Sequence, residues 1–386
     1  MKLNEIFPPT GYSVQEADRI VYARDASEFE GVCHAVVWPT NKDQIINMIK
    51  FANKDSNNFT IRGAGTNTVG GCVPANTVVV DMSKMNKILE WDRDSVLVEA
   101  GVVLNDLIKA AKKKGLFFPI KPLEYSVCTI GGMIAMNTLG INTYYGKMED
   151  WVTELEVIDG QGNRLKVSPQ GIKNFAGLEG TTGIICTARL KLLPAPREKT
   201  VSLFKFNTIT ALMDKVMILD KNPSVMSIEF FDEAISIFTD LGQSLHLLVE
   251  YNNGSGLMKD QEEIAKLDEL KEKMQHLMIN KKYTQKEDPK IPLEQMGKFL
   301  NWLRKNDVPC FGHMKLRIVH PCFREFSKLP HEMYAIVSTV QGEVPGQYGI
   351  GIKRKKFLSK EKAAKYAALK QQYDPSKVLN RGVIND

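Results

Sequence analysis

The chain has 386 residues, of which 43% are hydrophobic and 25% are charged, a composition that predicts about two soluble globular domains. Its net charge of +6 is mild, and no basic stripe is interleaved with aromatic residues, which argues against nucleic-acid binding. No stretch approaches the roughly 20 apolar residues of a membrane-spanning helix, and the first residues lack the apolar core of a signal peptide. We therefore expect a cytoplasmic protein, with at most peripheral contact between the basic run at 353–356 and an anionic membrane.

The first half of the chain alternates predicted helices and strands. A capping-box-like start at Thr40, followed by apolar residues at helical intervals, predicts a helix to about Asn53. A second amphipathic helix is predicted at 104–111 and ends before Gly115. Short β-rich runs predict strands at 59–61, 77–81, 96–100 and 155–159. These elements indicate an α+β domain.

The second half has a different pattern, and two prolines mark the change. Pro194 and Pro196 predict a domain boundary. Apolar or alternating segments then predict an antiparallel sheet with strands at 201–206, 227–231 and 246–251. A charged amphipathic helix is predicted from about 259 to 280.

Three glycine-rich segments, at 61–68, 128–132 and 177–185, are the most informative feature of the sequence. Glycine admits positive φ and lets backbone N–H groups approach a ligand without a Cβ in the way, so such turns can cradle a pyrophosphate. The first segment lies between two predicted strands, with no helix after the glycines as a Rossmann fingerprint requires. Three such segments in a fixed order are much stronger evidence for a binding site than one.

On these segments the sequence resembles the PCMH-type FAD-binding domain of the vanillyl-alcohol oxidase superfamily. Within it, the chain is similar to the flavoprotein of glycolate oxidases and FAD-dependent D-lactate dehydrogenases. The resemblance implies an α+β fold with a two-subdomain FAD-binding domain at 1–196, an antiparallel-sheet cap domain at 197–345 that supplies the substrate pocket, and a segment at 346–386 that returns to the flavin. In relatives the first glycine loop binds the FAD pyrophosphate through backbone amides.

The resemblance also implies which residues bind the cofactor. They are Arg62, Gly63, Ala64, Gly65, Thr66, Asn67, Thr129, Ile130, Gly131, Gly132, Asn137, Gly180, Gly183, Ile185 and, in the closing Asp-Pro…Leu-Asn motif, Asn380. We expect FAD to be bound non-covalently, because Thr66 stands where relatives with a histidyl link carry the histidine. We interpret Cys128 as structural, since its spacing differs from that of cysteinyl-flavin members.

The chain departs from the family at the metal-binding motifs of the cap. The family's His-x-Gly-Asp-Gly-Asn-x-His segment corresponds to residues 313–320, where His313 and His320 remain but the Gly-Asp-Gly-Asn centre is absent. Without glycines to bulge the strand, period-2 geometry predicts His313, Lys315 and Arg317 on one face and His320 on the other. The family's Gly-Glu-His-Gly-Ile-Gly reads Gly-Gln-Tyr-Gly-Ile-Gly here, starting at Gly346. Glutamine is a poorer ligand than a carboxylate, so we expect no catalytic metal, with His313 and His320 as weak candidate ligands.

Oxidation of an alcohol carbon requires a base for the hydroxyl proton, and the family's histidine is replaced by Tyr348. A tyrosine, with an ordinary pKa of about 10, needs a neighbouring cation to serve as base. We place Tyr348 and His320 equally as candidate bases, ahead of His313. Lys315 and Arg317 are absent from the family's motif and can clamp a substrate carboxylate or phosphate, or they can be solvent-facing residues with no ligand.

The resemblance implies a dehydrogenase that oxidises a small anionic 2-hydroxy acid, such as lactate or glycolate. The six cysteines, at positions 33, 72, 128, 186, 310 and 322, contain no Cys-x-x-Cys pair, which argues against an iron–sulfur cluster or structural zinc. Electrons would then pass from FAD to a separate acceptor: a quinone, an electron-transfer flavoprotein or an iron–sulfur protein. Two alternatives stay open, namely a non-catalytic FAD-carrying electron-relay subunit and an enzyme that oxidises a sugar or aldonolactone.

Overall fold

The computed structural model describes residues 3–55, 57–194, 199–252, 254–344 and 347–384. The chain forms two compact units. The first unit comprises Met1–Gly140, Gly146–Pro196 and Tyr348–Asp386, and the second unit comprises Ile141–Tyr145 and Arg197–Gln347. Of the residues at the predicted domain boundary, Pro194 ends a strand, whereas Pro196 lies outside the described residues.

In the N-terminal part of the first unit, the described residues form four α-helices and eleven strands. The helices are α1 (Glu16–Tyr22), α2 (Lys42–Asp55), α3 (Leu104–Lys112) and α4 (Ile130–Met136). The strands are β1 (Tyr12–Ser13), β2 (Val32–Val37), β3 (Phe59–Arg62), β4 (Ala75–Asp81), β5 (Ile88–Trp91), β6 (Ser95–Glu99), β7 (Leu116–Phe117), β8 (Val152–Ile158), β9 (Arg164–Val167), β10 (Ile184–Lys191) and β11 (Leu193–Pro194).

Two larger sheets organise this part of the chain, and each corresponds to one subdomain. A four-stranded sheet has the order β1-β2-β4-β3, in which β4 pairs in parallel with both β2 and β3. A five-stranded antiparallel sheet has the order β5-β6-β10-β8-β9. The parallel pairing brings the ends of β3 and β4 to the same edge of the first sheet, so the first glycine loop starts at that edge.

Helix α2 shows why the apolar periodicity predicted this region well. Its residues Ile45, Met48, Ile49 and Ala52 are fully buried and form one core with the four-stranded sheet. Burial of a large aliphatic side chain is worth about 1.5–3 kcal/mol, so this stripe holds the helix to the sheet. The predicted helices and strands of the first half of the chain are confirmed, including the end of α3 before Gly115, which has a φ of 69°.

The second unit is one antiparallel sheet with helices. Its strands are β12 (Thr200–Phe206), β13 (Val225–Phe231), β14 (Leu245–Tyr251), β15 (Gln285–Lys286), β16 (Cys310–His313) and β17 (Ile318–Phe323), in the order β12-β14-β13-β16-β17-β15. Its helices are α5 (Ile209–Asp220), α6 (Glu233–Phe238), α7 (Gln261–Asn280), α8 (Leu293–Lys305) and α9 (Leu329–Thr339). The predicted antiparallel sheet and the charged helix α7 are confirmed.

The two faces of this sheet differ in polarity. One face packs with α5 and α8 in a large apolar core, to which β13 contributes Ile228 and Phe230. Because side chains alternate along a strand, Ser227 and Glu229 of β13 lie on the opposite face, which also carries Glu250 of β14. Buried polar side chains are therefore concentrated on one face of the sheet.

The chain returns to the first unit through a short helix, α10 (Gly351–Arg354), and a longer one, α11 (Lys360–Tyr373). After α11, Leu379 forms a parallel bridge with Phe59 of β3, so the tail lies beside the strand that leads into the first glycine loop. No helix in the described ranges is long and apolar enough to cross a membrane.

Candidate functional site

The first glycine loop presents a row of free backbone donors. Among the described residues, no acceptor is found for any of the amide groups of residues 63–68. Gly65 has a φ of 72°, and Asn67 holds the loop closed by accepting hydrogen bonds from the amides of Val69 and Gly71 at 2.9 and 2.7 Å. Consecutive free amides in a glycine turn form an anion-binding concavity of the kind that holds a pyrophosphate.

The side chain of Arg62 packs against the first glycine loop, where a Cβ on Gly65 would lie 2.1 Å from its Nη2. Its Nη1 donates to the main-chain oxygen of Arg24 at 2.6 Å, and its guanidinium lies 5.2 Å from the ring centroid of Tyr22. The guanidinium of Arg62 therefore lies at the glycine loop, held by the main-chain oxygen of Arg24 and the ring of Tyr22, beside the amides that follow it.

The second glycine segment packs directly on the first. Thr129 caps the N-terminus of α4 by accepting a hydrogen bond from the amide of Gly132 at 3.3 Å. A Cβ on Gly63 would lie 2.4 Å from Oγ1 of Thr129, and a Cβ on Gly131 would lie 2.7 Å from the Cβ of Ala100. Glycine is required at both positions because the backbone passes too close to its neighbours for any side chain.

The other two residues predicted in this segment have structural partners. Ile130 is completely buried. Asn137 ends α4 in the left-handed conformation, with a φ of 49°, and its Oδ1 accepts a hydrogen bond from the amide of Glu149 at 3.0 Å. The structure therefore gives Asn137 a role in ending the helix beside the glycine segments.

Asn380 joins the third glycine segment to the first. Its Oδ1 accepts a hydrogen bond from the amide of Ile61 at 2.6 Å, and its Nδ2 donates to the main-chain oxygen of Glu179. Gly180 has a φ of 71°, and a Cβ there would lie 2.9 Å from Nδ2 of Asn380. Asn380 thus lies beside two glycine segments, and its role at the flavin stays a prediction. Gly183 and Ile185 lie farther along, where both contact the strand of Val157.

A buried ion pair, which the sequence analysis missed, fixes this tail. Nζ of Lys370 donates to Asp374 at 2.6 Å and to the main-chain oxygens of Thr181 and Leu379 at 3.0 and 2.5 Å. Asp374 in turn accepts hydrogen bonds from the amides of Val378 and Leu379, both at 2.9 Å. Burial lowers the pKa of Lys370, while the Asp374 carboxylate opposes that effect. The only sequence signal was the i, i+4 spacing of a lysine and an aspartate at the end of a helix.

Glu179 is a second residue that the sequence analysis missed. It is 3% exposed, and its carboxylate accepts hydrogen bonds from the amides of Ile350 and Gly351 in the turn that follows Tyr348. Burial raises the pKa of Glu179 to about 7, against the opposing effects of the two amides and of Arg354. Tyr348 is half-buried in the first unit. Gln347 belongs to the second unit, where its backbone amide donates to the carboxylate of Asp288. Gly346, with which the altered motif begins, lies outside the described residues.

The expectation that His313 and His320 lie on opposite faces of a strand is wrong. Strand β16 ends at His313, a 3₁₀ turn covers Met314–Leu316, and Arg317 has a φ of 65°. The chain therefore reverses into β17, and Phe311 is the cross-strand partner of His320. Because residues two apart on a strand share a face, both histidines lie on the polar face of the sheet, with ring centroids 5.1 Å apart. The reversal between β16 and β17 therefore brings the two histidines onto one face, although the glycines of the family's motif are absent.

A carboxylate holds one of these histidines. Nδ1 of His313 lies 2.6 Å from Oε2 of Glu229, and the side chains are 13% and 6% exposed. Glu229 is the cross-strand partner of His313, so the sheet register itself produces the contact. The sequence analysis did not identify Glu229. Its signal was a single acidic residue in an otherwise apolar strand.

The two cations of the hairpin have partners within the second unit. Lys315 donates to the main-chain oxygen of Val225 at 2.8 Å. Arg317 forms a bidentate pair with Asp220, with bonds of 3.0 and 2.8 Å, and also donates to the main-chain oxygens of Met314 and Lys315. These contacts favour a structural role for both residues over the substrate clamp that the sequence suggested.

Two observations concern potential metal ligands and the cysteine thiols. In the part of the chain that the structure describes, no group of three or more histidine, cysteine, aspartate or glutamate side chains is arranged to hold a metal ion. All six cysteines are free and buried. Burial raises the pKa of Cys128 to about 12, which agrees with its interpretation as a structural residue.

The glycine segments therefore fit a dinucleotide flavin by their own geometry. The amides of residues 63–68 suit the pyrophosphate, and glycine at positions 63 and 180 lets the backbone pack closely on Thr129 and Asn380. Three segments and the tail converge on this one place in the first unit.

Comparison with known proteins agrees with this geometry. Residues 33–168 match the FAD binding domain, and residues 249–384 match the C-terminal domain of FAD linked oxidases. The chain is 26% identical to glycolate oxidase subunit GlcD of Bacillus subtilis, over 99% of this chain and 95% of that protein. It is also 26% identical to a D-lactate dehydrogenase of Archaeoglobus fulgidus, over 99% of this chain and 97% of that protein. The solved structure of p-cresol methylhydroxylase with substrate bound matches with a TM-score of 0.79 and 14% identity, over 100% of this chain and 96% of that one. The chain belongs to the FAD-linked oxidases and is an FAD-dependent oxidoreductase with a PCMH-type fold.

Proposed function

We propose that this oxidoreductase oxidises a small 2-hydroxy acid, such as lactate or glycolate, with His313 as the base. The relatives that support the substrate class are named glycolate oxidase subunit, D-lactate dehydrogenase and D-2-hydroxyglutarate dehydrogenase. The observation that carries the proposal is the 2.6 Å contact between His313 and Glu229 on the polar face of the second unit's sheet.

This contact determines which nitrogen of His313 can act. If Nδ1 donates its proton to the Glu229 carboxylate, Nε2 is left as the acceptor for the substrate's hydroxyl proton. The carboxylate also stabilises the imidazolium that forms when the proton arrives. When bound, FAD supplies the chemistry that takes up the hydride from the same carbon. Because of its contact with Glu229, we favour His313 over His320 and Tyr348 as the base.

The same sheet face favours a second class of substrate. Ser227 Oγ, Glu229 Oε1 and Glu250 Oε2 are buried, and none of them has a hydrogen-bond partner among the described residues. Ser227 and Glu250 are cross-strand partners, and Glu229 lies two residues along the same strand. Buried acceptors need donors, and the hydroxyl groups of a sugar acid or aldonolactone would supply one at Glu229, beside His313, whereas Glu250 is already paired with Lys199 and Lys271. A polyhydroxylated acid is therefore the second candidate substrate.

The electrons are proposed to leave FAD for a separate acceptor, such as a quinone, an electron-transfer flavoprotein or an iron–sulfur protein. The described residues contain no cysteine cluster that could relay them, since all six thiols are buried and free. An electron-relay subunit without its own substrate is favoured only by the loss of the family's Glu-His pair at Gln347 and Tyr348.

Replacement of His313 tests the proposal. The His313→Gln variant should retain its FAD, because His313 belongs to the second unit's sheet and not to the glycine segments, but hydroxy acids should no longer bleach its flavin. His331→Gln, at an exposed position on α9, is the matched control and should be bleached at the wild-type rate. Equal bleaching rates in the two variants would contradict the assignment of His313 as the base.

A further inference from the structure

Glu179 occupies a central position in the third glycine segment. Its backbone has a φ of 51°, its amide donates to the main-chain oxygen of Ala135 in α4 at 2.9 Å, and its own main-chain oxygen accepts from Nδ2 of Asn380. The backbone of Glu179 is therefore held by both the second glycine segment's helix and the C-terminal tail. These two hydrogen bonds fix the position of the Glu179 backbone, from which its side chain extends.

The carboxylate spans two consecutive amides of the turn after Tyr348. Oε1 accepts a hydrogen bond from Ile350 at 2.6 Å, and Oε2 accepts one from Gly351 at 2.9 Å. Hydrogen bonds to an ionised carboxylate are roughly twice as strong as those between neutral groups. The turn is thus attached to the third glycine segment through a single side chain.

The backbone of the turn is shaped to meet this side chain. Gly349 has a φ of 84°, and a Cβ there would lie 2.8 Å from Oε1 of Glu179. Gly351 has a φ of 53°, and a Cβ there would lie 2.0 Å from the main-chain oxygen of Val69, close to the first glycine loop. Both glycines allow a close approach that no other residue could make.

One cation lies beside this contact. Arg354 is 1% exposed, its Nη1 donates to the main-chain oxygen of Gly349 at 3.1 Å, and its charge favours the ionised form of Glu179. The charge of Asp25 opposes that effect. Two roles for the carboxylate therefore need to be separated: acceptor of the two amides and counter-ion of Arg354.

We propose that Glu179 is a positioning residue, which fixes the Tyr348–Gly351 turn to the third glycine segment by accepting its two amides. Tyr348 stands where the family's motif has histidine, so the position of this candidate base depends on a side chain in a cofactor segment. The proposal concerns only contacts within the first unit, and it does not depend on which substrate the enzyme oxidises.

Amide hydrogen exchange of the FAD-loaded, substrate-free protein tests the proposal, with two variants that separate reach from charge. Glu179→Asp keeps the charge but withdraws both oxygens by one methylene, so a peptide covering residues 348–354 should lose protection by about 10-fold. Glu179→Gln keeps the reach but replaces one acceptor oxygen by an NH2 group that faces an amide N–H, so this variant should lose protection as well. Glu156→Gln removes a buried carboxylate elsewhere in the first unit and should leave this peptide unchanged.

The aspartate variant is decisive. If Glu179→Asp keeps wild-type protection of the turn while Glu179→Gln loses it, the carboxylate acts through its charge toward Arg354 and the proposal is wrong. Protection equal to that of the wild type in both variants would also overturn it. Because no substrate is present, a failed prediction here is distinguishable from a failure of the proposed oxidation.

Discussion

Glu229→Gln tests the proposed base more finely than removal of His313 does. Glutamine has nearly the same size as glutamate, so the fold of β13 should be retained, but a neutral amide replaces the buried carboxylate at 2.6 Å from Nδ1 of His313. A hydrogen bond to a charged group is worth about 1.5–3 kcal/mol. The variant should therefore lose about 10- to 150-fold in the rate of flavin reduction.

The assay is single-turnover flavin bleaching under anaerobic conditions with saturating substrate, which measures the chemical step directly. The expected loss reaches only the lower end of the 10²–10⁴-fold that a general base commonly contributes, because His313 itself remains. Ser236→Ala is the control, since it removes the 2.9 Å partner of another buried histidine, His246, in the same unit. It should cost stability without slowing the bleaching step.

A Glu229→Gln rate within about twofold of the wild type, in a protein that still binds FAD, would refute the reasoning. It would mean either that His313 is not the base or that its tautomer does not depend on Glu229. The same rate loss in Ser236→Ala would also refute it, because the effect would then follow from general damage to the sheet.

Three further predictions concern the cofactor loop, the hairpin and a buried charge network. Gly63→Val should abolish FAD retention in a fluorescence assay, because its Cβ alone would lie 2.4 Å from Oγ1 of Thr129; a yellow variant would contradict the assignment of the loop. Arg317→Ala should lower the free energy of unfolding by about 1 kcal/mol through loss of its partly exposed pair with Asp220, with KM unchanged; a raised KM would restore the substrate clamp. Burial raises the pKa of Glu250, but two lysines outweigh that effect and the net pKa is lowered from 4.5, so the stability that it contributes is present above that pH and is lost below it. Glu250→Gln should therefore lose less stability than the wild type on acidification, and an equal loss in urea unfolding would argue against the network.

Local patterns allowed much of the fold to be predicted from the sequence. The apolar periodicity of α2 and the β-rich run of β4 each follow from a short stretch of chain, because burial of one helix or strand face leaves a repeating signal. The glycine segments could also be recognised from the sequence. Gly63 is required by the close approach of Thr129, and Gly65 has a positive φ.

The remaining features depend on contacts that no local pattern shows. Period-2 reasoning failed at His313 because a four-residue reversal replaced the strand, and only the register of β16 with β17 places His320 on the same face. Glu229 and Glu179 are single acidic residues in otherwise ordinary segments, and their partners lie 84 and 171 residues away. Such residues gain their roles from tertiary pairing.

The most direct test of the central claim is an anaerobic titration of the purified, FAD-loaded chain, in which loss of the flavin absorbance band is followed. The titrants are glycolate, D-lactate, L-lactate, 2-hydroxyglutarate and a panel of sugar acids, each with and without a metal chelator. We expect that one of these hydroxy acids bleaches the flavin and that the chelator does not prevent it. A yellow protein that none of them reduces would contradict the proposed oxidation and favour an electron-relay subunit.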